Sequence, residues 1–466
     1  MRVLLVSANR LRDPYPVHPI GLDHVAGALA PAHEVRILDL CPLDDAAVEP
    51  AVAAAIREHA PGAVGISIRN VDVLDAPETP GTVEDARRVI RTVRATTGAP
   101  VILGGAGFTI FPAELLRALD ADWGVVGAGE RARPLVDALA AGAEPRGLPG
   151  VIGRGDPAPW PERGALPPGT RSARRTPERG PTLDFYLARG GMLGLQTQRG
   201  CTLRCIYCTY PAIEGRTLRP FALDALAAEA RALEDAGARH LVLTDSVFNG
   251  DPEHALAVAG AFRRGGLRIP WGGFFAPLAR PGDLPGFYAA MREAGCTHVE
   301  FGTESLSDPV LAQLRKPFRR ADVLRAHAAA RAAGLHVSHF ILPGGPGETA
   351  ATLEETLDGC EALDGAVLFF FCGMRVYPGT PLWDRAVAEG QLRPDAPLLA
   401  PVYWEAPGLP IPALRAAVAR RAAGRRSWRT GAAEDAAGAA AARAEAALLA
   451  RMHARGKSGP LWELLA

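Results

Sequence analysis

The stretch GLQTQRGCTLRCIYC, Gly194 to Cys208, runs from an apolar strand directly into three cysteines spaced C-x3-C-x2-C. These are Cys201, Cys205 and Cys208, three of the seven cysteines in a chain of 466 residues. A structural zinc site asks for four ligands, usually as two separated pairs, and neither a second pair nor a suitably spaced histidine lies nearby. A thiol-exchange site needs only two thiols. Three thiolates in one short loop suit an iron–sulfur cluster in which one iron has no cysteine ligand and stays open to a small chelating molecule. The alternative is three reduced thiols without metal, and packing alone rarely gathers cysteines this densely on a loop.

Working outward, strands and helices alternate from Gly194 to Pro381. The apolar strands are LGLQTQ, HLVLTD, WGGFFA, HVEFGTE, HVSHFIL and AVLFFFCGMRVYP, each separated from the next by an amphipathic helix. Six such repeats predict a partial (β/α)6 barrel whose chemistry lies at the carboxyl ends of its strands. The first 150 residues alternate in the same way and predict an α/β, Rossmann-like doubly wound domain. Its strand ends are rich in small residues, including Gly104 and Gly105, which let a large flat ligand approach the backbone. The expected boundaries are 1–150 for this domain, 151–190 for a Pro/Gly/Arg-rich linker, 191–385 for the barrel and 386–466 for a helical C-terminal tail. Trp404, Trp428 and Trp462 are expected to anchor that tail.

A formal net charge of zero removes the electrostatic case for a nucleic-acid or membrane-surface protein. No apolar run approaches the length of a membrane span. The N-terminus, MRVLLVSANR, is too short an apolar run for a signal peptide. Together these point to the cytoplasm, where thiols stay reduced and a disulfide reading of the cysteines is disfavoured.

A C-x3-C-x2-C loop after the first strand of a βα barrel, with the aromatic Tyr207 between the last two cysteines, resembles the radical S-adenosylmethionine (SAM) superfamily over Gly194 to Pro381. The resemblance implies a [4Fe–4S] cluster on Cys201, Cys205 and Cys208, with the methionyl amine and carboxylate of SAM on the fourth iron. It also implies a flavodoxin- or ferredoxin-type electron donor. Thr244-Asp245-Ser246 followed by Phe248-Asn249 resembles the D-x-x-F-N variant of the family's amine-holding motif, which makes Asp245 and Ser246 candidates for the amine. Val299 to Ser305 resembles the E-x-G-x-E-S segment and implies that Glu304 and Ser305 face the ribose and methionyl groups; a barrel-rim salt bridge is the other reading of Glu304. LPGGPGE, Leu342 to Glu348, resembles the turn that lies against adenine and brings in Gly344. Arg375, at the end of the last barrel strand, is a candidate for a carboxylate of SAM or of the substrate, or else pairs with a structural acid.

A doubly wound domain ahead of such a barrel resembles the cobalamin (B12)-binding domain of the B12-dependent branch. The D-x-H-x-x-G motif that supplies an axial histidine in many corrinoid proteins is missing here. Arg69, just past the third strand, either projects toward the corrin face as a fixed cation or pairs with Asp72 or a ligand phosphate. The first strand–helix turn, SANRLRDPYP, lacks G-x-G-x-x-G, which weakens a dinucleotide reading. The expected function is methyl transfer from SAM by way of cobalamin to a weakly nucleophilic centre of a small molecule, in natural-product biosynthesis. Two alternatives stand beside it. One is a radical SAM enzyme with a different outcome, cyclisation or transfer of another SAM-derived group, and a vestigial B12 domain. The other is a non-catalytic iron–sulfur protein, against which the set of SAM positions argues.

Overall fold

The computed structural model describes residues 1–12, 15–72, 82–156, 174–278, 284–430 and 436–465. Two compact units divide them: one takes in the N-terminal part through Tyr186 together with Thr209–Arg219, the other Leu187–Cys208 and Pro220 onward.

The first unit is built on strands β1 (Arg2–Ser7), β2 (Glu34–Asp39), β3 (Ala63–Ser67), β4 (Val101–Gly104), β5 (Trp123–Val125) and β6 (Val151–Gly153), ordered 2-1-3-4-5-6. The apolar run of β1 is buried from Val3 to Val6, as a strand covered on both faces requires. All pairings are parallel except that of β6 with β5. The order reverses at β1, so the crevice at the carboxyl ends of β1 and β3 is the expected ligand site. Ser7 and Ser67 are register partners there, which places Asn9 and Arg69 just beyond the crevice.

The linker expectation needs correcting. β6 closes the first sheet, and the described residues past 173 are built into the same unit. Arg174 grips the buried Asp23 carboxylate at 2.8 and 2.9 Å, and Tyr186 donates its phenol to Asp39 at 2.5 Å. One arginine and one tyrosine anchor the segment, so it needs no apolar periodicity to be ordered. Residues 157–173 lie outside the described residues.

The second unit begins with β7 (Met192–Leu195) and the two-residue strands β8 (Gln198–Arg199) and β9 (Arg219–Pro220). β10 (His240–Leu243), β11 (Trp271–Phe275), β12 (Cys296–Glu304), β13 (His336–Ile341), β14 (Val367–Phe370) and β15 (Trp428–Thr430) follow. Its main sheet is seven-stranded and parallel, ordered 15-14-13-12-11-10-7. All six expected barrel strands occur in their expected order. The seventh, β15, corrects the reading of the tail as helical. Around it lie helices Ile411–Ala422 and Ala436–Ala454 and a final turn, Trp462–Leu465. Trp404, Trp428 and Trp462 are all buried. No helix among the described residues is long and apolar enough to cross a membrane.

Candidate functional site

The cysteine loop leaves β7 and is held in shape by the loop after β10. Asp245 Oδ1 accepts from the Thr197 amide at 2.7 Å and the Gln198 amide at 3.2 Å, while Oδ2 accepts the Thr197 hydroxyl at 2.5 Å. The Gln198 side-chain amide donates back to the carbonyls of Val247 and Phe248. Ser246 donates to the Gly200 carbonyl at 3.0 Å, one residue before Cys201. Asn249 carries the tie onward, exchanging two hydrogen bonds with the Ala276 backbone at the end of β11. The candidate amine ligand Asp245 is therefore 1 % exposed and spends both oxygens on the backbone and hydroxyl of the preceding loop. These contacts make it a positioning residue for the cysteine loop.

Between Cys205 and Tyr207, Ile206 turns into the core with Val310, Leu314, Val376 and Trp404. Its amide donates to Leu314 O at 3.2 Å and its carbonyl accepts from Leu382 N at 3.0 Å. An apolar plug with both backbone groups paired fixes the two flanking cysteines on the surface it leaves. Cys201 is buried, Cys205 and Cys208 are half-buried, and none of the seven cysteines is in a disulfide. Burial pushes the Cys201 thiol up, and the Cys205 sulfur adds to this; the Leu203 amide, the Ser246 hydroxyl and the Lys316 ammonium oppose it.

Tyr207 and Lys316 converge on Glu304. The phenol donates to Oε1 at 2.8 Å and Lys316 Nζ lies 2.9 Å from the same oxygen, with side chains only 4 % and 12 % exposed for Lys316 and Glu304. Burial alone would lower the Lys316 ammonium. The Glu304 carboxylate and the Cys205 and Cys208 sulfurs outweigh it and hold the ammonium above its ordinary value. Burial, then Glu304 and the same two sulfurs, raise the Tyr207 phenol well above its own. The salt-bridge reading of Glu304 is thus present in the structure. Its backbone is also strained, at φ +65°, where β12 slips register against β13. Nothing in the sequence marked Lys316, because it reaches the cysteine loop from the far end of the segment that follows β12.

Ser305 faces the helix layer. It is 1 % exposed, shares a 2.8 Å hydrogen bond with Thr356 and accepts from the Ser307 amide at 3.0 Å, within a buried turn. Gly344 has φ +100°, and a Cβ there would lie 3.3 Å from the Cα of Gly373; only glycine suits this backbone-to-backbone approach. Its amide is held by Glu348 at 3.2 Å. Arg375 is buried, donates to Leu398 O at 2.9 Å and stacks 4.6 Å above the Tyr377 ring, where the alternative reading looked for an acid.

In the first unit, Arg69 Nε donates to the Asn70 amide oxygen at 3.0 Å, and its Nη1 is buried without a hydrogen bond. Burial lowers this guanidinium, with Tyr186, Cys41, Tyr210 and Tyr15 acting in the opposite sense. Gly105, at φ +104°, lets its loop meet the β3 loop: a Cβ would stand 2.5 Å from Ile68 O. Gly104 has only Val125 O nearby, at 3.9 Å, so of the two it alone leaves open space. A buried cation with one unpartnered nitrogen, beside a loop without side-chain bulk, fits a large polar cofactor at the switch-point crevice. Three thiols on one anchored loop beside an ammonium fit an anionic iron–sulfur cluster.

Residues 195–360 match the Radical SAM superfamily and residues 7–137 match the B12 binding domain. An uncharacterized methyltransferase of Pyrococcus horikoshii is 26 % identical over 80 % of this chain and 79 % of its own length. The tryptophan 2-C-methyltransferase of Streptomyces laurentii is 26 % identical over 81 % of this chain and 73 % of its own. Among solved structures, the radical S-adenosylmethionine methyltransferase TsrM of Kitasatospora setae, with cobalamin and a [4Fe–4S] cluster bound, superposes with a TM-score of 0.85 at 24 % identity, covering 100 % of this chain and 97 % of that one.

Proposed function

This chain belongs to the radical SAM superfamily and joins its radical SAM domain to a B12 binding domain, and from that premise we propose that it is a methyltransferase. It would move a methyl group from SAM to a weakly nucleophilic centre of a small molecule, as part of natural-product biosynthesis. The observation that carries this reading is the anchored three-thiol loop after β7, in a chain that also carries a corrinoid-type domain. When bound, the cluster supplies a chelation point for SAM and a source of electrons, and the corrinoid supplies a methyl carrier.

The chain's own residues do the positioning. Cys201, Cys205 and Cys208 would hold the cluster, Ile206 and Asp245 fix their loop, and the Lys316 ammonium offsets negative charge beside Cys205 and Cys208. Ser246, Gly344 and Arg375 remain candidates for SAM or substrate, with Tyr207 and Glu304 acting as one hydrogen-bonded pair. Arg69 would present a fixed positive charge to the corrinoid, with Gly104 bordering it and Gly105 shaping the loop against Ile68. A flavodoxin- or ferredoxin-type donor would supply electrons, and seven cysteines outside any disulfide fit a cytoplasmic setting.

The Streptomyces laurentii relative acts on tryptophan by its name, so tryptophan and other indole-bearing amino acids are the first substrates to test. Anaerobic protein reconstituted with iron, sulfide and hydroxocobalamin should convert SAM to S-adenosylhomocysteine together with a methylated product. Formation of 5′-deoxyadenosine with no methylated product would replace methyl transfer with another radical reaction. No turnover of SAM at all would leave an iron–sulfur protein that is not an enzyme.

A further inference from the structure

Two histidines and a glutamate meet at the amino-terminal ends of β12 and β13, the end of the sheet opposite the cysteine loop. His298 and His336 are register partners on adjacent parallel strands, so the sheet itself sets their imidazoles side by side, with ring centroids 5.0 Å apart. Glu463, in the final turn Trp462–Leu465, brings its Oε2 to 3.0 Å from His298 Nε2. One ligand atom from each of the three residues lies within 4.8 Å of the others. We propose that His298, His336 and Glu463 form a binding site for a divalent transition metal of the zinc type, separate from the iron–sulfur chemistry.

The donor set decides the class of ion. Two imidazole nitrogens and one carboxylate oxygen suit zinc and its neighbours and not calcium or magnesium, which want oxygen ligands. Three protein ligands leave a fourth position for water.

The surroundings already orient the first ligand. Thr297 Oγ1 lies 2.9 Å from His298 Nδ1 and 3.3 Å from the Trp271 carbonyl. If the hydroxyl donates to that carbonyl, it accepts the Nδ1 hydrogen. His298 Nε2 then faces the Glu463 carboxylate with a lone pair, and two acceptors at that distance are held together by a shared proton or by a metal cation. The opposite tautomer, with Nε2 donating to Glu463, accounts for that pair but leaves the second imidazole beside it without a role.

Trp462 fixes the carboxylate's segment. Its indole packs edge-on to His298 at 5.1 Å and donates to the buried Glu300 carboxylate at 3.2 Å. His336 is exposed and gives the ion a way in. Ligand atoms of a tetrahedral zinc centre stand roughly 3.4 Å apart, so rotation of His336 completes the set. The bound ion would clip the last turn of the chain to the sheet.

The test uses anaerobically purified protein with its cluster installed. Dialysis against buffered zinc should leave one tightly held equivalent with the iron content unchanged, and zinc-edge absorption should show nitrogen and oxygen neighbours without sulfur. His336→Ala, a surface change, should lower zinc affinity roughly tenfold or more, and Glu463→Gln should do the same, with iron content preserved in both. Sulfur neighbours around the zinc, equal affinity in His336→Ala, or no retained zinc would each overturn the proposal.

Discussion

Lys316 Nζ and Tyr207 Oη reach the same oxygen of Glu304, at 2.9 and 2.8 Å, and so tie the cysteine loop to the carboxyl end of β12. The pair is nearly buried, and the two partners are not equivalent. Removing the cation leaves a carboxylate in a low-dielectric site, which costs about 3–5 kcal/mol. Removing the phenol deletes one hydrogen bond, at about 1–3 kcal/mol with the acceptor charged. Lys316→Met is therefore expected to lower the thermal midpoint well below that of Tyr207→Phe, and the double variant Lys316→Met with Glu304→Gln should recover part of the loss. Differential scanning calorimetry of the three proteins checks the order.

Cys205→Ala is expected to abolish the visible absorbance of the reconstituted cluster and to cut bound iron and sulfide to a small fraction of the wild-type content. Cys296→Ala and Cys360→Ala, deep in the second unit's core, should leave the iron content unchanged while costing some stability. Iron and sulfide analysis after anaerobic desalting separates the two groups of cysteines.

Asp245→Asn retains the oxygen that accepts the Thr197 and Gln198 amides and loses the second carboxylate oxygen, which takes the Thr197 hydroxyl. The expected cost is about 1–3 kcal/mol. Because Asp245 acts on the loop before Cys201, cluster loading should fall with it, while Asn249→Ala, one tie further away, should lower stability more than loading. Parallel measurement of iron content and thermal midpoint distinguishes a positioning carboxylate from one that binds SAM directly, whose loss would spare the cluster.

Buried histidine rings set an acid limit, among them His240, which burial and then His298 hold at about 3. Burial holds His18 at about 3, with Arg174 as the second cause. The nearby Asp23 does not reverse this, because Arg174 claims its carboxylate. His339 lies well below 6.5 through burial and then His327, to which it is hydrogen-bonded at 3.2 Å while Thr303 bonds its other nitrogen at 2.8 Å. His327 is lowered as well, again chiefly by burial. A lowered folded value means that the unfolded chain takes up the proton first. Stability is therefore intact above pH 6.5 and falls as the pH drops from there toward the folded values, by about 1.4 kcal/mol per pH unit for each histidine. His339→Asn, which cannot take that proton, should show a shallower fall between pH 6.5 and 5 than wild type. Urea unfolding of cluster-free protein at several pH values checks the slope.

The features readable in the sequence are those written in short-range patterns. The alternation of apolar strands and amphipathic helices announced both sheets, and C-x3-C-x2-C announced its loop, because both depend on spacing within a few residues. Lys316 was not readable, since its meeting with Tyr207 depends on how far the segment after β12 folds back. Asp245 and Ser305 were recognised as notable polar residues at strand ends, but their orientation depends on backbone amides that leave no trace in side-chain chemistry. The order of the 174–187 segment was hidden for a related reason: Tyr186 and Arg174 hold it through two contacts with acids far away in sequence.

The short strand β15 lies along β14, whose residues Val367–Phe370 read VLFF. Stripped of that neighbour, four apolar residues would offer unpaired amides and carbonyls to any other chain, the template on which aggregates grow. The C-terminal region is therefore a guard for solubility, and a shortened protein ending before Trp428 should precipitate even though every cysteine of the iron–sulfur loop is still present.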